Sequence, residues 1–192
     1  APGQLERLLV VEGYMDVVAL AEAGIHYAVA TLGTSATTEH MDRLFKVVPE
    51  VVFCFDGDKA GKRAAERALE NVLPHMIDGR QARFMFLPDG QDPDSLVRAN
   101  GKSLFEQRIV RAESLSERLF GFLQEGLNPQ EPEGKALLTQ KAGPFFQKIP
   151  AGILRTLLVK KLAEIVGVDT AQLQTQLDRQ SLPVKKEAIQ SK

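Results

Sequence analysis

Cysteine is almost absent from the chain. Cys54 is the only one in 192 residues, which excludes an internal disulfide and a cysteine-rich zinc site and points to a reducing compartment. Histidine is also scarce, and His26, His40 and His75 have no ligand spacing. No apolar run approaches the ~18–20 residues of a membrane span, and Ala1-Pro2-Gly3 does not resemble a signal peptide. Internal repeats and low-complexity tracts are missing too. These absences predict a soluble, cytoplasmic protein without zinc and without a membrane partner. The formal net charge is only −1, whereas a plain nucleic-acid binder is usually basic throughout. The near-neutral total hides an asymmetry. Residues 1–109 carry 12 Lys/Arg against 16 Asp/Glu, a balance of −4, and residues 110–192 carry 12 against 9, or +3. An acidic half is unusual unless the acids hold something positive.

The first half alternates two kinds of pattern. "LLVVEG" (8–13), "HYAVAT" (26–31), "EVVFCF" (50–55) and "RQARFMFL" (80–87) read as strands. Between them lie helical patterns: "MDVVALAEAG" closed by Gly24, a helix opening near Ser35 or Thr37, and a long helix over 59–73. Strands separated by helical crossovers predict a mostly parallel α/β sheet with helices on both faces. After about residue 105 the strand signals stop. Three amphipathic helices follow, broken by Asn128-Pro129, Pro144 and Pro150, then a short helix "TAQLQTQLDRQ" capped by Asp169 or Thr170. The expected organisation is an α/β unit at 1–105, a small helical bundle at 106–182 and a polar tail at 183–192.

The acids fall at strand ends. Glu12 closes the first strand, with Gly13 permitting a sharp turn. Asp56 and Asp58 close the third, with Gly57 between them; Asp92 and Asp94 follow the fourth. In an open parallel sheet the carboxyl ends of the strands form the ligand crevice. Three connections therefore deliver acids to one edge, and Asp16 reaches it from the first helical turn. Each has a structural use as well. Asp92 before Pro93 is a good helix N-cap, Asp94 and Asp16 suit the helix dipole, and Asp-Gly-Asp makes a turn. Glu12 is the hardest to explain so, because a partly buried unpaired carboxylate is costly. Taken together the cluster predicts a divalent cation. Hard oxygen ligands suit Mg²⁺ or Mn²⁺, and the number of acids suggests two ions, as in phosphoryl transfer. Lys59, Lys62, Arg63 and Arg67 point away from the inward face of the third helix. The first three lie beside the Asp-Gly-Asp turn, where they could meet nucleic-acid or nucleotide phosphates.

"EGYMD" (12–16), "DGDKAG" (56–61) and "PDGQDPDSLV" (88–97), in this order and spacing, resemble the Toprim domain of bacterial DnaG-type DNA primases. "YAVATLGTS" (27–35) and "DGRQARFMFLPDG" (78–90) strengthen the likeness, which covers essentially the whole chain and is strongest over 5–105. It implies a Toprim-like fold followed by the helical part of the primase polymerase core. It also implies a nucleotidyltransferase making short RNA primers on a single-stranded DNA template from ribonucleoside triphosphates. Carried over residue by residue, Glu12, Asp56 and Asp58 form the catalytic and metal-binding set, Asp16, Asp92 and Asp94 complete it, and Lys59, Lys62 and Arg63 contact nucleic acid or nucleotide. Glu12 is then a metal ligand, a proton acceptor, or both. The family's zinc ribbon, the polymerase subdomain before the first Toprim strand and the domain that contacts the replicative helicase have no counterpart in the sequence. The expectation is a partial catalytic core of a cytoplasmic replication enzyme, nucleoid-associated during replication, that binds metal but makes little or no primer alone, with the helicase met through a domain absent from the chain.

Two other readings use the same residues. A Toprim nuclease would direct water instead of a ribose hydroxyl. A non-enzymatic DNA-binding module would use "LAEIVGVDTAQLQTQL" (162–177), where Ala163 and Gly167 stand as in helix-turn-helix motifs. That stretch is rich in Gln and poor in the Arg, Lys and Asn that read bases, so a plain structural turn is preferred. A topoisomerase is disfavoured because the only tyrosines, Tyr14 and Tyr27, both lie within the α/β unit.

Overall fold

A strand buried on both faces needs apolar residues at every position, and Glu50–Phe55 (β3) has them: Val51 to Phe55 are all buried. In this computed structural model, which describes residues 5–31 and 36–180, β3 is the middle strand of five. Its neighbours are Arg7–Val11 (β1), Ala28–Ala30 (β2), Gln81–Phe86 (β4) and Glu113–Ser114 (β5), in the order β2-β1-β3-β4-β5. All pairs are parallel except β4 with β5. Alternate residues of β3 serve opposite faces. Val52 and Cys54 join one apolar cluster, with Tyr14–Glu22 (α1) and Pro93–Val110 (α4) packed on it through Leu20, Leu96 and Phe105. Val51, Phe53 and Phe55 join the other, beneath Thr38–Val47 (α2) and Lys59–Val72 (α3). The expected α/β sheet with helices on both faces is the observed fold.

The bundle consists of Leu115–Gln124 (α5), Pro132–Lys148 (α6), Ile153–Val166 (α7) and Thr170–Gln180 (α8). Leu119, Phe146, Leu158, Leu162 and Leu173 lie in the same apolar cluster as Phe53 and Leu69, so sheet and bundle share a continuous core. Residue 105 falls inside α4, and β5, which the sequence pattern did not reveal, extends the sheet past it. A two-residue strand is too short to leave a periodic signal.

Gly24 closes α1 at φ 87°, with Ile25 N–H donating to Leu20 and Gly24 N–H to Ala21, a left-handed terminus that favours glycine. Thr37 caps α2; Ser35 and the tail at 183–192 lie outside the described residues. Two expectations need correction. Pro144 does not break the helix: α6 runs through it, held by buried Ala142, Gly143 and Phe146 around the missing amide bond. Gly13 does not adopt a special conformation either, since its backbone is extended at φ −103°, ψ 145°. Between α7 and α8, Gly167 takes the left-handed region at φ 74°, and α8 packs Leu173 and Leu177 inward. This is the structural turn the composition favoured.

The N-terminus of α7 has no cap of its own, because Gly152 stands there. Asp78, 75 residues earlier, accepts hydrogen bonds from the amides of Ile153 and Leu154, each at 2.9 Å. These amides hold the Asp78 carboxyl below its ordinary value. A lowered carboxyl contributes stability that is present above the unfolded-state pKa and is lost as pH falls through the folded-state one. Asp78→Ala is therefore expected to lower the melting midpoint at neutral pH, with the gap to wild type closing in acid. Equal midpoints at neutral pH would show that this clamp between sheet and bundle contributes nothing.

Candidate metal centre

At the end of β1 the chain leaves the core at Glu12, and α1 begins two residues later. Asp16, in the first turn of α1, accepts a hydrogen bond from Gly13 N–H at 3.2 Å. A Cβ on Gly13 would sit 2.7 Å from Asp16 Oδ2, which is the local reason for glycine there. At the end of β3, Asp56 is half-buried, and Asp58 caps α3 by accepting from Gly61 N–H at 2.7 Å. At the end of β4, Asp92 caps α4 through Ser95 N–H at 2.7 Å, and Asp94 is bound by Arg98, which also reaches Glu22 at 3.4 Å.

Two glycines bring these loops together. A Cβ on Gly57 would lie 2.2 Å from the Leu87 carbonyl oxygen, so the Asp-Gly-Asp turn rests directly on the backbone that follows β4. A Cβ on Gly61 would lie 2.0 Å from the Asp56 carbonyl oxygen, so the first turn of α3 rests on Asp56 itself. Gly61 was missed in the sequence. Its signal is a glycine inside a helix otherwise made of good helix formers, which implies a close backbone approach.

The result is a concentration of negative charge around Asp56. The Asp56 carboxyl is pushed up to about 6, first by burial and then by the charges of Glu12, Asp16, Asp58 and Asp92. The Asp16 carboxyl is also raised, mainly by burial, with Asp92 and Asp94 adding to the rise and the amides of Asp94 and Gly13 opposing it. Beneath them the buried Cys54 thiol is raised well above its usual value by burial, then by Asp56, Asp16 and Glu12. Thus Glu12, Asp16, Asp56, Asp58 and Asp92 act on one point, and Asp94 joins them through Asp16 while engaged by Arg98. One expectation is corrected. Glu12 is exposed, and the acid in the costly position is Asp56.

The donor set fits a hard dication. It is all oxygen, and an ion would relieve the repulsion that holds Asp56 near 6. Among the described residues no three acids form a ready-made cage, because Asp16, Asp58 and Asp92 each bond backbone amides and Asp94 bonds Arg98. That suits Mg²⁺, which keeps several waters and takes one or two carboxylates. Lys59, Lys62 and Arg63 are exposed on the first turns of α3 and make no ion pair among the described residues. Lys62 lines a cavity with Glu66, Phe86 and Arg118, on the α5 side of α3.

Comparison with known proteins gives the family. A family described as "Toprim-like" matches residues 9–97, and one described as "DnaB-helicase binding domain of primase" matches residues 119–171. The second match covers most of α5 to α7, a stretch that the sequence reading gave to the polymerase core while placing helicase contact outside the chain. A DNA primase of Pseudomonas aeruginosa is 53% identical over 165 residues, 85% of this chain and 25% of that protein. The chain thus spans about a quarter of the length of this curated relative. A crystal structure of a DNA primase domain from Pseudomonas aeruginosa superposes with a TM-score of 0.88 at 50% identity, covering 91% of this chain and 55% of the other. A DnaG primase catalytic domain bound to ssDNA gives 0.80 at 52% identity, covering 85% and 53%. With this identity across most of its length and the same fold, the chain belongs to the bacterial DnaG-type DNA primase family.

Proposed function

We propose that Glu12, Asp56 and Asp58 form the metal-binding heart of a primase centre that joins ribonucleotides on single-stranded DNA during replication in the cytoplasm. Asp16, Asp92 and Asp94 complete its negative field. The observation that carries this reading is the Asp56 carboxyl pushed up to about 6 by burial and by the charges of four other acids, Glu12, Asp16, Asp58 and Asp92. Bound Mg²⁺ or Mn²⁺, two ions in this reading, would supply Lewis-acid activation of a primer 3′-hydroxyl and stabilise the departing pyrophosphate. The chain's own residues do the rest. Asp58 and Asp92 are fixed by the helices they cap, so their free oxygens hold position without reorganisation. Gly57 and Gly61 lock Asp56 between two backbones. Glu12, exposed at the rim, is free to bind the ion or accept the hydroxyl proton. Lys59, Lys62 and Arg63 lie where they can contact nucleotide or template phosphates.

The partners proposed are a single-stranded DNA template, ribonucleoside triphosphates, the RNA primer and a replicative helicase. The first is supported by the solved relative bound to ssDNA and the last by the match over 119–171. Paramagnetic titration with Mn²⁺ tests the centre. The 192-residue chain is expected to bind Mn²⁺, and Asp56→Asn and Asp58→Asn to lose it. Templated primer extension and strand cleavage, assayed side by side in protein retaining these residues, separate polymerase from nuclease. Metal-dependent cleavage without extension would replace the primase reading.

A further inference from the structure

The sheet has an unfinished edge. β5 pairs with Arg83 and Phe84, and among the described residues no strand pairs with that edge of β4 beyond them. The amides of Gln81 and Leu87 donate toward the β3 side, to Pro49 and Phe55. By the two-residue period of a strand, the N–H and C=O of Phe86 face the bare edge. A cavity of about 470 Å³ opens there, between β4 and the second half of α4. Its size is within the range of small-ligand sites.

The helix wall of this cavity is a single face. Gly101, at φ 75° and ψ 171°, interrupts α4, and the half after it carries Leu104, Gln107, Arg108 and Arg111. The spacing i, i+3, i+4, i+7 puts all four on one side, and all four line the cavity. Leu104 is 50% exposed. Arg108 and Arg111 make no ion pair among the described residues. The acid on the rim, Glu113, is already paired with Arg118 at 3.6 Å. The wall therefore offers two guanidinium groups with no ion pair among the described residues, an amide and an apolar side chain, opposite a strand edge where the N–H and C=O of Phe86 lie beyond the reach of β5.

We propose that this cavity, separate from the acidic cluster, binds a free nucleoside phosphate. Arg108 and Arg111 hold the phosphates in bidentate fashion, Leu104 covers the flat face of the base, and the Phe86 backbone pairs with the base edge. The ligand chemistry differs from that of the acidic centre because the cations come from the protein. Binding therefore needs no metal.

Isothermal titration of the chain with ATP in EDTA tests this, with Asp56→Asn protein as a parallel arm in which the acidic centre is disabled. Binding with a Kd below about 1 mM is expected in both arms. Each of Arg108→Ala and Arg111→Ala should weaken it by about tenfold, the scale of one charge-assisted hydrogen bond. Leu104→Glu should abolish it while leaving both arginines in place. All three side chains are exposed, so unchanged melting curves will confirm that the variants fold. Absence of binding overturns the proposal, as does binding that ignores the arginine substitutions. Equal displacement by inorganic phosphate would overturn the nucleoside part. Binding of a single-stranded oligonucleotide through these arginines, without binding of free ATP, would assign the site to a strand and overturn it too. None of these outcomes bears on Mn²⁺ binding at Asp56.

Discussion

Asp56→Asn is expected to make the metal-free protein more stable while greatly weakening its hold on Mn²⁺. An acid raised from 3.8 to about 6 on folding binds more protons in the native state than in the unfolded one between those values. The contribution of Asp56 to wild-type stability therefore falls as pH rises from about 4 to about 6 and stays reduced at neutral pH. The full shift corresponds to about 3 kcal/mol. Asp56 is partly open to solvent, so screening reduces this to about 1–2 kcal/mol. Asparagine carries no charge and escapes the repulsion of Glu12, Asp16, Asp58 and Asp92. Denaturant melts in EDTA at pH 4 and pH 7 provide the measurement. The variant should match wild type at the lower pH and exceed it at the higher. For metal the sign reverses, because bound ions need ionised carboxylates and wild-type Mn²⁺ affinity should drop as pH falls through about 6. The variant should bind Mn²⁺ weaker by on the order of a hundredfold, the scale of one charged contact. A variant no more stable than wild type at pH 7 would mean that the acids do not press on Asp56.

Gly61→Ala should have the opposite effect on stability, against the usual rule. Alanine in place of glycine within a helix ordinarily stabilises by about 1 kcal/mol. Here the added Cβ would sit 2.0 Å from the Asp56 carbonyl oxygen and 2.9 Å from its carbon, both backbone atoms that cannot rotate away. Overpacking of this kind costs about 1–3 kcal/mol, occasionally more, and a 2.0 Å approach to backbone belongs at the top of that range, so after the propensity gain the net loss is about 2 kcal/mol. The relief must come from moving α3 or Asp56, and either disturbs the Asp58 cap as well. Urea unfolding and Mn²⁺ titration of the variant should both show losses. Gly126→Ala serves as a contrast: nothing lies within 4 Å of its added Cβ, and only its φ of 75° is strained. That substitution should cost stability without touching metal affinity. A Gly61→Ala protein with full Mn²⁺ affinity would show that α3 does not position Asp56.

Much of this was legible in one dimension. β3 could be read to the residue because it is buried on both faces, and an unbroken apolar run has few alternatives. Capping was legible too: Thr37, Asp92 and Asp169 each accept the amide bonds that their residue type favours, whereas Asp58, read as part of a turn, also caps α3. Pro144 misled because proline is a local breaker, while the packing of α6 around Phe146 is decided by residues far away. Glu12 misled for a related reason. Its place after an apolar run resembled burial, but depth at a strand end depends on which loops cover it.

Four of the five strands, the acids that follow β1, β3 and β4, and the likeness to primases could be read from residue order alone, because these depend on periodicity and on residue chemistry at fixed spacing. Which acid sits in the costly position, how Gly57 and Gly61 bring separate loops into contact, and where β5 stops along β4 follow instead from the packed chain. Those properties arise from distances between segments remote in the chain. Coulomb repulsion and steric contact depend on separation in space, which no local pattern of residues encodes.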